Sequence, residues 1–465
     1  MFDAELASAT RPAPAAWWAE TRATLRLAGP LVATQLAQMA VLTTDIVLLG
    51  RLSTEALAAA AIGNAVYYFA WLIGCGPANA VAPVIAHLLG ARPKDRAGVR
   101  AVVRMGLWGA VLVSAPLMLM LSATQAILAH LGQEPVLAAG AGRFVALLCF
   151  GLPFSVGFRV LSNFATALGR PAASLWVMLG TILFNGVAGW VLIFGKFGAP
   201  ALGLAGAGLA STLSAVFSFV AIAALIQADP KLRIYRPWRR LLRPALKPLA
   251  ELFRLGVPIG LTMLFEAMLF NVMTLVMGTF GAQPLAAHQI ALNFASVTFM
   301  VPLGVALAAT VRVGRFAGAG DMVGARRAGF VAMAVAVAAV MVSGLAMTFA
   351  GHQIASLYVA DRGPDDMEVI ALAASFLLVA AAFQVVDALQ VVAALSLRGL
   401  KDARAPMIIA AASYWLAGAP MCIWLGVGRG MQGMGIWIGL AFGLGVAAVA
   451  MCARFHLLTR RTQFA

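Results

Sequence analysis

The sequence predicts an all-α integral membrane protein with twelve transmembrane helices in two six-helix lobes, related by a parallel pseudo-twofold repeat. Of the 465 residues, 62% are hydrophobic and 11% are charged, which is more apolar surface than one soluble core can bury. Twelve apolar runs also have the length of roughly 20 residues that a helix needs to cross a hydrocarbon layer. Because the strands of a barrel would alternate polar and apolar residues, these continuous runs favour helices.

The twelve runs are spread along the whole chain. They begin near Leu27, Ala56, Ala101, Ala141, Ala172, Gly203, Leu252, Ala286, Ala328, Val369, Met407 and Gly433. The segment before the first run mixes acidic residues with prolines, so we expect no cleavable signal. The four cysteines lack paired or metal-type spacing, and we interpret them as packing residues of a protein without a cofactor.

Positive charge alternates between the connections. The net charge is +16, and 27 of the 33 Lys and Arg lie in every second connection, beginning with the N-terminal segment. Arg143 and Arg159 lie inside the fourth run, where we expect them to snorkel or to be paired. By the positive-inside rule, this pattern predicts a multi-pass protein of a bacterial-type inner (plasma) membrane with both termini cytoplasmic. The charge therefore reflects membrane topology, and no nucleic-acid partner is expected.

The spans form two comparable halves. The predicted segments are an N-terminal tail at 1–26, an N-lobe at 27–228, a basic linker at 229–250, a C-lobe at 251–455 and a C-terminal tail at 456–465. An offset of 228 residues places Pro30 on Pro258 and Gly50 on Gly278. Since each half has six spans, both halves enter the membrane in the same direction, and a parallel repeat of this kind is typical of transporters. The prolines are interpreted as kinks, with bends that change during transport as the open alternative.

Three carboxylates, Asp45, Glu266 and Asp387, lie inside the predicted spans. A carboxylate at the centre of a membrane helix costs about 2.5 to 3.5 kcal/mol on insertion, so each needs a partner or a function. In the first span, Asp45 shares one helical face with Gln35 and Gln38. Such a polar face must meet protein or a water-filled cavity.

Similar polar faces occur in the second half. Span ten carries Gln384, Asp387 and Gln390 at three-residue spacing, and in span seven Thr262 precedes Glu266 by one turn. These acids are not repeated features, because the aligned positions in the other half carry uncharged residues. Specialised ion and substrate chemistry in each half is therefore expected.

Two interpretations of the acids are open. They can hold helices together by hydrogen bonds or by pairing with Arg143 or Arg159. Alternatively, because burial disfavours a charged carboxylate, a proton, a sodium ion or an organic cation can each stabilise it, and the three can compete. If each cation favours a different conformation, this competition drives exchange across the membrane.

The residues from Leu27 to Asn64, LAGPLVATQLAQMAVLTTDIVLLGRLSTEALAAAAIGN, resemble the opening of NorM-type transporters of the multidrug and toxic compound extrusion (MATE) family. The resemblance continues through GKFGAPALGLAGAG after span five, LGVPIGLTMLFEAMLF around Glu266 and FQVVDALQVVAALSLRGLKDARAP around Asp387. It implies two six-helix lobes around a V-shaped cleft. It also implies a monomeric antiporter that exports cationic amphiphilic drugs and other xenobiotics by alternating access, driven by sodium ions or protons.

The resemblance also implies roles for individual residues. Cation coupling is expected to involve Glu266, Asp387, Asp45, Asn185 and Gln384. If sodium is the coupling ion, Glu266, Asp387 and Asn185 are its expected ligands.

Two positions depart from the family pattern. Gly189 stands where relatives can carry a second asparagine, and Phe383 where they can carry a tyrosine. Both departures remove oxygen ligands that a hard cation uses, which favours proton coupling. A sodium site whose coordination is completed by water molecules is the alternative.

A substrate cleft is expected from polar and aromatic side chains of both halves. Its candidate residues are Gln35, Gln38, Phe265, Gln289, Phe383 and Gln390. His288 is interpreted as a hydrogen-bonded helix residue, with proton transfer as the alternative. Tyr67, Tyr68 and Trp71 can line the cleft or simply pack, and Arg312 is interpreted as an anchor at the cytoplasmic end of its helix.

Other functions are weighed against this one. A lipid-linked oligosaccharide flippase of the same broad superfamily is the alternative, but its anionic substrate would favour a basic cleft, and intramembrane acids outnumber arginines here. An intramembrane enzyme would need a nucleophile elbow or a histidine cluster, and an ATP-driven pump would need a phosphate-binding loop. None of these motifs occurs in the sequence, so we expect a secondary transporter and not an enzyme. A channel is a further alternative function, and steady conductance across a bilayer would identify it.

Overall fold

Twelve long helices account for most of the computed structural model, which describes residues 13–359 and 363–460. Within these ranges there is no β-strand, and all twelve helices are long and apolar enough to cross a membrane, so the predicted fold class is confirmed. The helices, here α1 to α12, are Ala13–Gly50, Thr54–Ala91, Arg96–Ser122, Pro135–Ala167, Ala172–Phe194, Gly203–Ala228, Leu246–Gly278, Ala282–Gly318, Met322–Phe349, Pro364–Gly399, Arg404–Gly428 and Gln432–Arg460.

The first helix begins at Ala13, well before the predicted start at Leu27. Hydropathy misses this extension because two of its buried side chains, Glu20 and Thr24, are polar. At the other end, α12 continues to Arg460, beyond the predicted end of the last lobe at residue 455. The outer parts of both predicted tails, residues 1–12 and 461–465, lie outside the described residues, as does Arg362 of a predicted loop.

Two helices contain irregular turns. In α4 a 3₁₀ turn, Cys149–Gly151, separates its two α-helical parts. In α11 two π-helical segments, Ser413–Gly418 and Trp424–Gly428, flank the short stretch that contains Pro420. Because proline has no N–H, it cannot supply the ordinary i→i−4 hydrogen bond, and the neighbouring turns adopt wider spacing. In keeping with this, the Ala419 N–H donates to the carbonyl of Tyr414, five residues earlier.

Short polar caps start several helices. The Ser53 hydroxyl accepts from the Ala56 N–H at 3.0 Å, which begins α2. Asp95 and Asp321 cap α3 and α9 in the same way, accepting from Gly98 at 2.8 Å and from Gly324 at 2.7 Å. These side chains satisfy helix-terminal donors, so tight connections can follow α1, α2 and α8.

The helices form two compact units. The N-unit comprises residues 33–261, and the C-unit comprises the described residues of 13–32 and 262–460. Both boundaries lie inside helices, after Val32 in α1 and after Leu261 in α7, close to Pro30 and Pro258. Each unit therefore takes the first part of one helix from the opposite half of the sequence, which differs from the lobes predicted at 27–228 and 251–455.

Close backbone crossings fix these exchanged segments. In the N-unit, a Cβ added to Gly76 would lie 2.5 Å from the carbonyl oxygen of Gly256 in α7. In the C-unit, a Cβ added to Gly304 would lie 2.7 Å from the amide nitrogen of Val32 in α1. Gly76 and Gly304 are 228 residues apart, which is the offset that aligns the two halves of the sequence. The predicted repeat therefore has a structural counterpart in equivalent helix crossings.

A glycine seam joins α11 to α12 in the C-unit. A Cβ on Gly439 would lie 2.5 Å from the amide nitrogen of Cys422, and one on Gly443 would lie 2.6 Å from the Cα of Gly418. These glycines are one helical turn apart on the same face of α12. Only residues without a side chain permit this approach, as in other membrane helix pairs.

The four cysteines are free thiols. Cys75, Cys149 and Cys422 are buried, and Cys452 is partly exposed. Their burial is consistent with the packing role predicted from the sequence.

Candidate functional site

Asp45 is the centre of a polar group in the N-unit. The Ser211 hydroxyl of α6 donates to Asp45 Oδ2 at 3.2 Å, and Asn185 of α5 is the other polar neighbour of the carboxyl. Asn185 is completely buried, yet neither atom of its amide has a hydrogen-bond partner of good geometry among the described residues. A carboxylate next to a buried, unsatisfied amide can bind a cation or a polar ligand.

The packing of α5 against α1 explains one departure from the family pattern. A Cβ on Gly189, one turn after Asn185, would lie 2.6 Å from Leu48 Cδ1, and one on Gly186 would lie 3.6 Å from Thr44 Cγ2. Gly189 therefore accommodates the Leu48 side chain. A second asparagine at this position would require Leu48 to move.

The other predicted residues of the first span lie on the same helix. Gln35 is buried and Gln38 is half-buried. Gln35, Gln38 and Asp45 all belong to the N-unit.

Glu266 of α7 and Asp387 of α10 form a second acidic group, in the C-unit. The two carboxyl groups interact electrostatically with each other. The Arg398 guanidinium, later in α10, attracts Glu266. The fully buried Tyr414 of α11 interacts electrostatically with both acids and with Arg398. Asp387 Oδ1 and Tyr414 Oη have no hydrogen-bond partner within the described part of the chain. This group can take up a proton or another cation between two acids that repel each other.

Arg398 and Tyr414 were not predicted as site residues. In the sequence, Arg398 lies at the end of an apolar run and contributes to the positive charge of a connection. Tyr414 is one of only five tyrosines in the chain, so its position inside a span was an available signal. It lies in the first π-helical segment of α11, and π-helical turns are frequent at functional sites.

Gln384 ties three helices of the C-unit together. Its Oε1 accepts from the Ser343 hydroxyl at 2.8 Å, and its Nε2 donates to the Ala295 carbonyl at 3.4 Å and to the Thr298 hydroxyl. The amide oxygen keeps one further acceptor position. Direct coordination of a cation by Gln384 stays a prediction.

The remaining cleft candidates have different surroundings. Phe383 packs edge-on against Phe270 and Trp437, with ring centres 6.1 and 5.6 Å away. Gln390 is 2% exposed, and its Oε1 has no described hydrogen-bond partner. Phe265 is half-buried and Gln289 is exposed. These four residues belong to the C-unit, and their role as a cleft stays a prediction.

His288 is buried and structurally paired. Its Nε2 lies 3.1 Å from the Thr274 hydroxyl, and its ring packs against Trp437 with centres 5.6 Å apart. This environment agrees with the interpretation of a hydrogen-bonded helix residue.

The two arginines of α4 do not pair with the three acids. Arg143 is exposed, and its Nε donates weakly to the Ala139 carbonyl at 3.5 Å. The Arg159 guanidinium lies 5.5 Å from the ring centre of Trp71, which in turn stacks on Tyr68. A cation–π contact of this kind stabilises a charge in an apolar setting. Arg159 therefore has an aromatic neighbour instead of one of the three acids.

Arg312, which the sequence indicates as an anchor at the cytoplasmic end of its helix, is buried and paired with an acid. Its Nε and Nη2 donate to the two carboxylate oxygens of Glu20 at 2.7 and 2.6 Å. The side chains are only 6% and 3% exposed. The partner lies 292 residues away in the sequence, so no local pattern could reveal it.

Both the sequence and the fold are similar to those of known proteins. The model of the MatE family matches residues 30–191 and 258–424. The chain is 43% identical over 440 residues to "Probable multidrug resistance protein NorM" of Mesorhizobium japonicum, covering 94% of both chains. It is 40% identical over 437 residues to "Multidrug resistance protein NorM" of Burkholderia vietnamiensis, again covering 94% of both. The crystal structure of the eukaryotic MATE transporter AtDTX14 superposes with a TM-score of 0.84 at 23% identity, covering 96% of this chain and 98% of that one.

Proposed function

Because this chain belongs to the MatE family, we propose that it is a multidrug efflux transporter and not an enzyme. It exports cationic amphiphilic compounds in exchange for an inward-moving cation by alternating access. The NorM-named relatives support the efflux role, since they match nearly the whole chain. The observation that carries the exchange mechanism is the pair of acidic groups, one in each compact unit.

The C-unit group supplies the coupling step. Glu266 and Asp387 repel each other when both are charged, so binding one proton relieves the repulsion. Arg398 already compensates part of the negative charge on Glu266. A further metal cation would have to approach this fixed positive charge, whereas a proton binds directly to a carboxylate oxygen. The arrangement therefore favours protons over sodium ions as the coupling ion.

The N-unit group supplies a second cation-binding carboxylate. Asp45, supported by Ser211 and Asn185, can bind either the cationic substrate or a proton. Since one carboxylate holds one of them at a time, substrate and proton displace each other. Displacement of this kind, together with differential affinity of two conformations, is sufficient for antiport.

The experiment is ethidium efflux from proteoliposomes that contain the full-length protein, energised in separate arms by a proton gradient and by a sodium gradient. Asp387→Asn, Glu266→Gln and Asp45→Asn are tested beside Glu368→Gln, which removes an exposed acid from α10. We expect the proton gradient to drive efflux and each of the first three changes to abolish it, with Glu368→Gln unaffected. Efflux driven only by sodium would overturn proton coupling.

The membrane orientation is tested separately. We propose an inner membrane location with both termini cytoplasmic, because the basic connections alternate along the chain. Fusions of alkaline phosphatase, which is active only outside the cytoplasm, should be inactive at both termini and active in the connection between α1 and α2. Active fusions at either terminus would contradict this orientation.

Absence of drug efflux with either gradient, from folded protein, would favour lipid-linked oligosaccharide flipping.

A further inference from the structure

The basic linker between α6 and α7 is docked along one face of α3. Arg100, Arg104 and Trp108 are spaced by four residues on α3 and form a single stripe. Arg100 Nε donates to the Tyr235 carbonyl at 2.9 Å, Arg104 Nη1 to the Arg240 carbonyl at 3.2 Å, and Trp108 Nε1 to the Leu241 carbonyl at 2.8 Å. All of these contacts lie within the N-unit. The linker therefore has a defined conformation and is not a free basic segment.

This docking concentrates positive charge. Arg100 is repelled electrostatically by four neighbouring arginines, Arg104, Arg236, Arg239 and Arg240. Arg236 and Arg240 have left-handed backbone conformations, with φ of 47° and 60°, so the linker turns sharply at both. These turns present Arg236, Arg239 and Arg240 as exposed side chains on a short segment.

No ion pair with a described carboxylate offsets this charge. The ion pairs of the described residues that involve arginine join other side chains, such as Arg170 to Asp229 and Arg454 to Asp402. None of the five clustered arginines forms one. Positive-inside topology requires basic residues in this connection, but it does not require them to be held together by backbone carbonyls. Because backbone hydrogen bonds hold these arginines close together despite their mutual repulsion, the cluster is suited to bind an anionic ligand.

We propose that this cluster, named here the linker arginine site, binds the phosphate of an anionic phospholipid. Arginine guanidinium groups bind phosphate oxygens with two parallel hydrogen bonds, and basic sites at the ends of membrane helices attract anionic headgroups. Apolar residues beside the arginines indicate a lipid and not a soluble phosphate. Leu242 and Leu246 are 83% and 74% exposed, and Trp108 belongs to a residue type that is common at the membrane interface.

The test is native mass spectrometry of the full-length protein in detergent, titrated with dioleoyl phosphatidylglycerol. Parallel titrations use dioleoyl phosphatidylcholine and soluble glycerol phosphate. The triple variant Arg236→Gln/Arg239→Gln/Arg240→Gln removes three charges but keeps the backbone acceptors and a polar side chain at each position. The control, Arg22→Gln/Arg26→Gln/Arg460→Gln, removes three exposed charges from α1 and α12 of the C-unit.

We expect phosphatidylglycerol to bind the wild type and the control equally, and the triple variant about 100-fold more weakly, from about fivefold per arginine. Arg239→Gln alone, which disturbs neither left-handed position, should weaken binding about fivefold. Thermal unfolding without lipid shows whether each variant is folded. Unchanged binding by folded Arg239→Gln and triple variants would overturn the proposal. Equal binding of phosphatidylcholine would overturn the charge assignment, and equal binding of glycerol phosphate would overturn the lipid assignment.

Discussion

Breaking the buried Glu20–Arg312 ion pair should destabilise the protein far more than removing an exposed arginine. The side chains are 3% and 6% exposed and share two short hydrogen bonds. Arg312→Leu leaves the Glu20 carboxylate buried without this partner, which costs about 3 to 5 kcal/mol in comparable pairs. The guanidinium also lies 5.4 Å from the Phe316 ring centre, a contact that contributes about 0.5 to 1 kcal/mol. We therefore expect a loss of about 4 kcal/mol in the apparent free energy of unfolding.

The assay is unfolding by dodecyl sulfate in mixed micelles. A thiol-reactive dye follows it, because Cys75, Cys149 and Cys422 are buried in the folded protein. Arg22→Leu removes an exposed arginine from α1, the helix that carries Glu20. It should change stability by less than about 0.5 kcal/mol.

The double variant Glu20→Met/Arg312→Met distinguishes the pair from its parts. Because it removes both buried charges, its stability should return to within about 1 kcal/mol of the wild type. A loss below about 1 kcal/mol for Arg312→Leu would match an exposed ion pair and refute the reasoning. A double variant that loses the sum of both single changes would refute it too.

Three further predictions concern the two units. Tyr414→Phe should leave stability within about 1 kcal/mol, because its hydroxyl has no described hydrogen-bond partner. It should slow gradient-driven efflux about tenfold, because we expect this hydroxyl to donate to a charged carboxylate during coupling; unchanged efflux would remove Tyr414 from the site. Gly439→Ala should lower the unfolding free energy by about 1 to 3 kcal/mol, because the new Cβ would lie 2.5 Å from the amide nitrogen of Cys422. In the same titration, Gly445→Ala should raise it by up to about 1 kcal/mol, because its Cβ meets nothing closer than 3.9 Å and alanine favours the helix. Gly189→Asn alone should destabilise the protein, because its side chain would meet Leu48. The double variant Gly189→Asn/Leu48→Ala should be tolerated, and its sodium-driven ethidium efflux should increase. Equal stability of the single and the double variant would contradict the packing argument.

Hydropathy and charge were sufficient to predict the twelve spans, because lipid contact requires continuous apolar sequence. The repeat was visible for a related physical reason. Gly76 and Gly304 hold equivalent crossings where no side chain fits, so these positions match at the 228-residue offset.

Other features could not be predicted because they depend on distant partners. The start of α1 was missed, since Glu20 is buried only through its pairing with Arg312 in another helix. The surroundings of Asp387 were incomplete without Tyr414, which a π-helical turn places. Nothing in local periodicity distinguishes a π-helical turn from an α-helical one in an apolar run.

The glycine seam also has a consequence for biogenesis. Backbone contact between α11 and α12 can form only after the last helix has been synthesised, so α11 cannot complete its packing before then. A chain truncated before Gly435 would leave the packed face of α11 without the glycines of α12 that its backbone contacts.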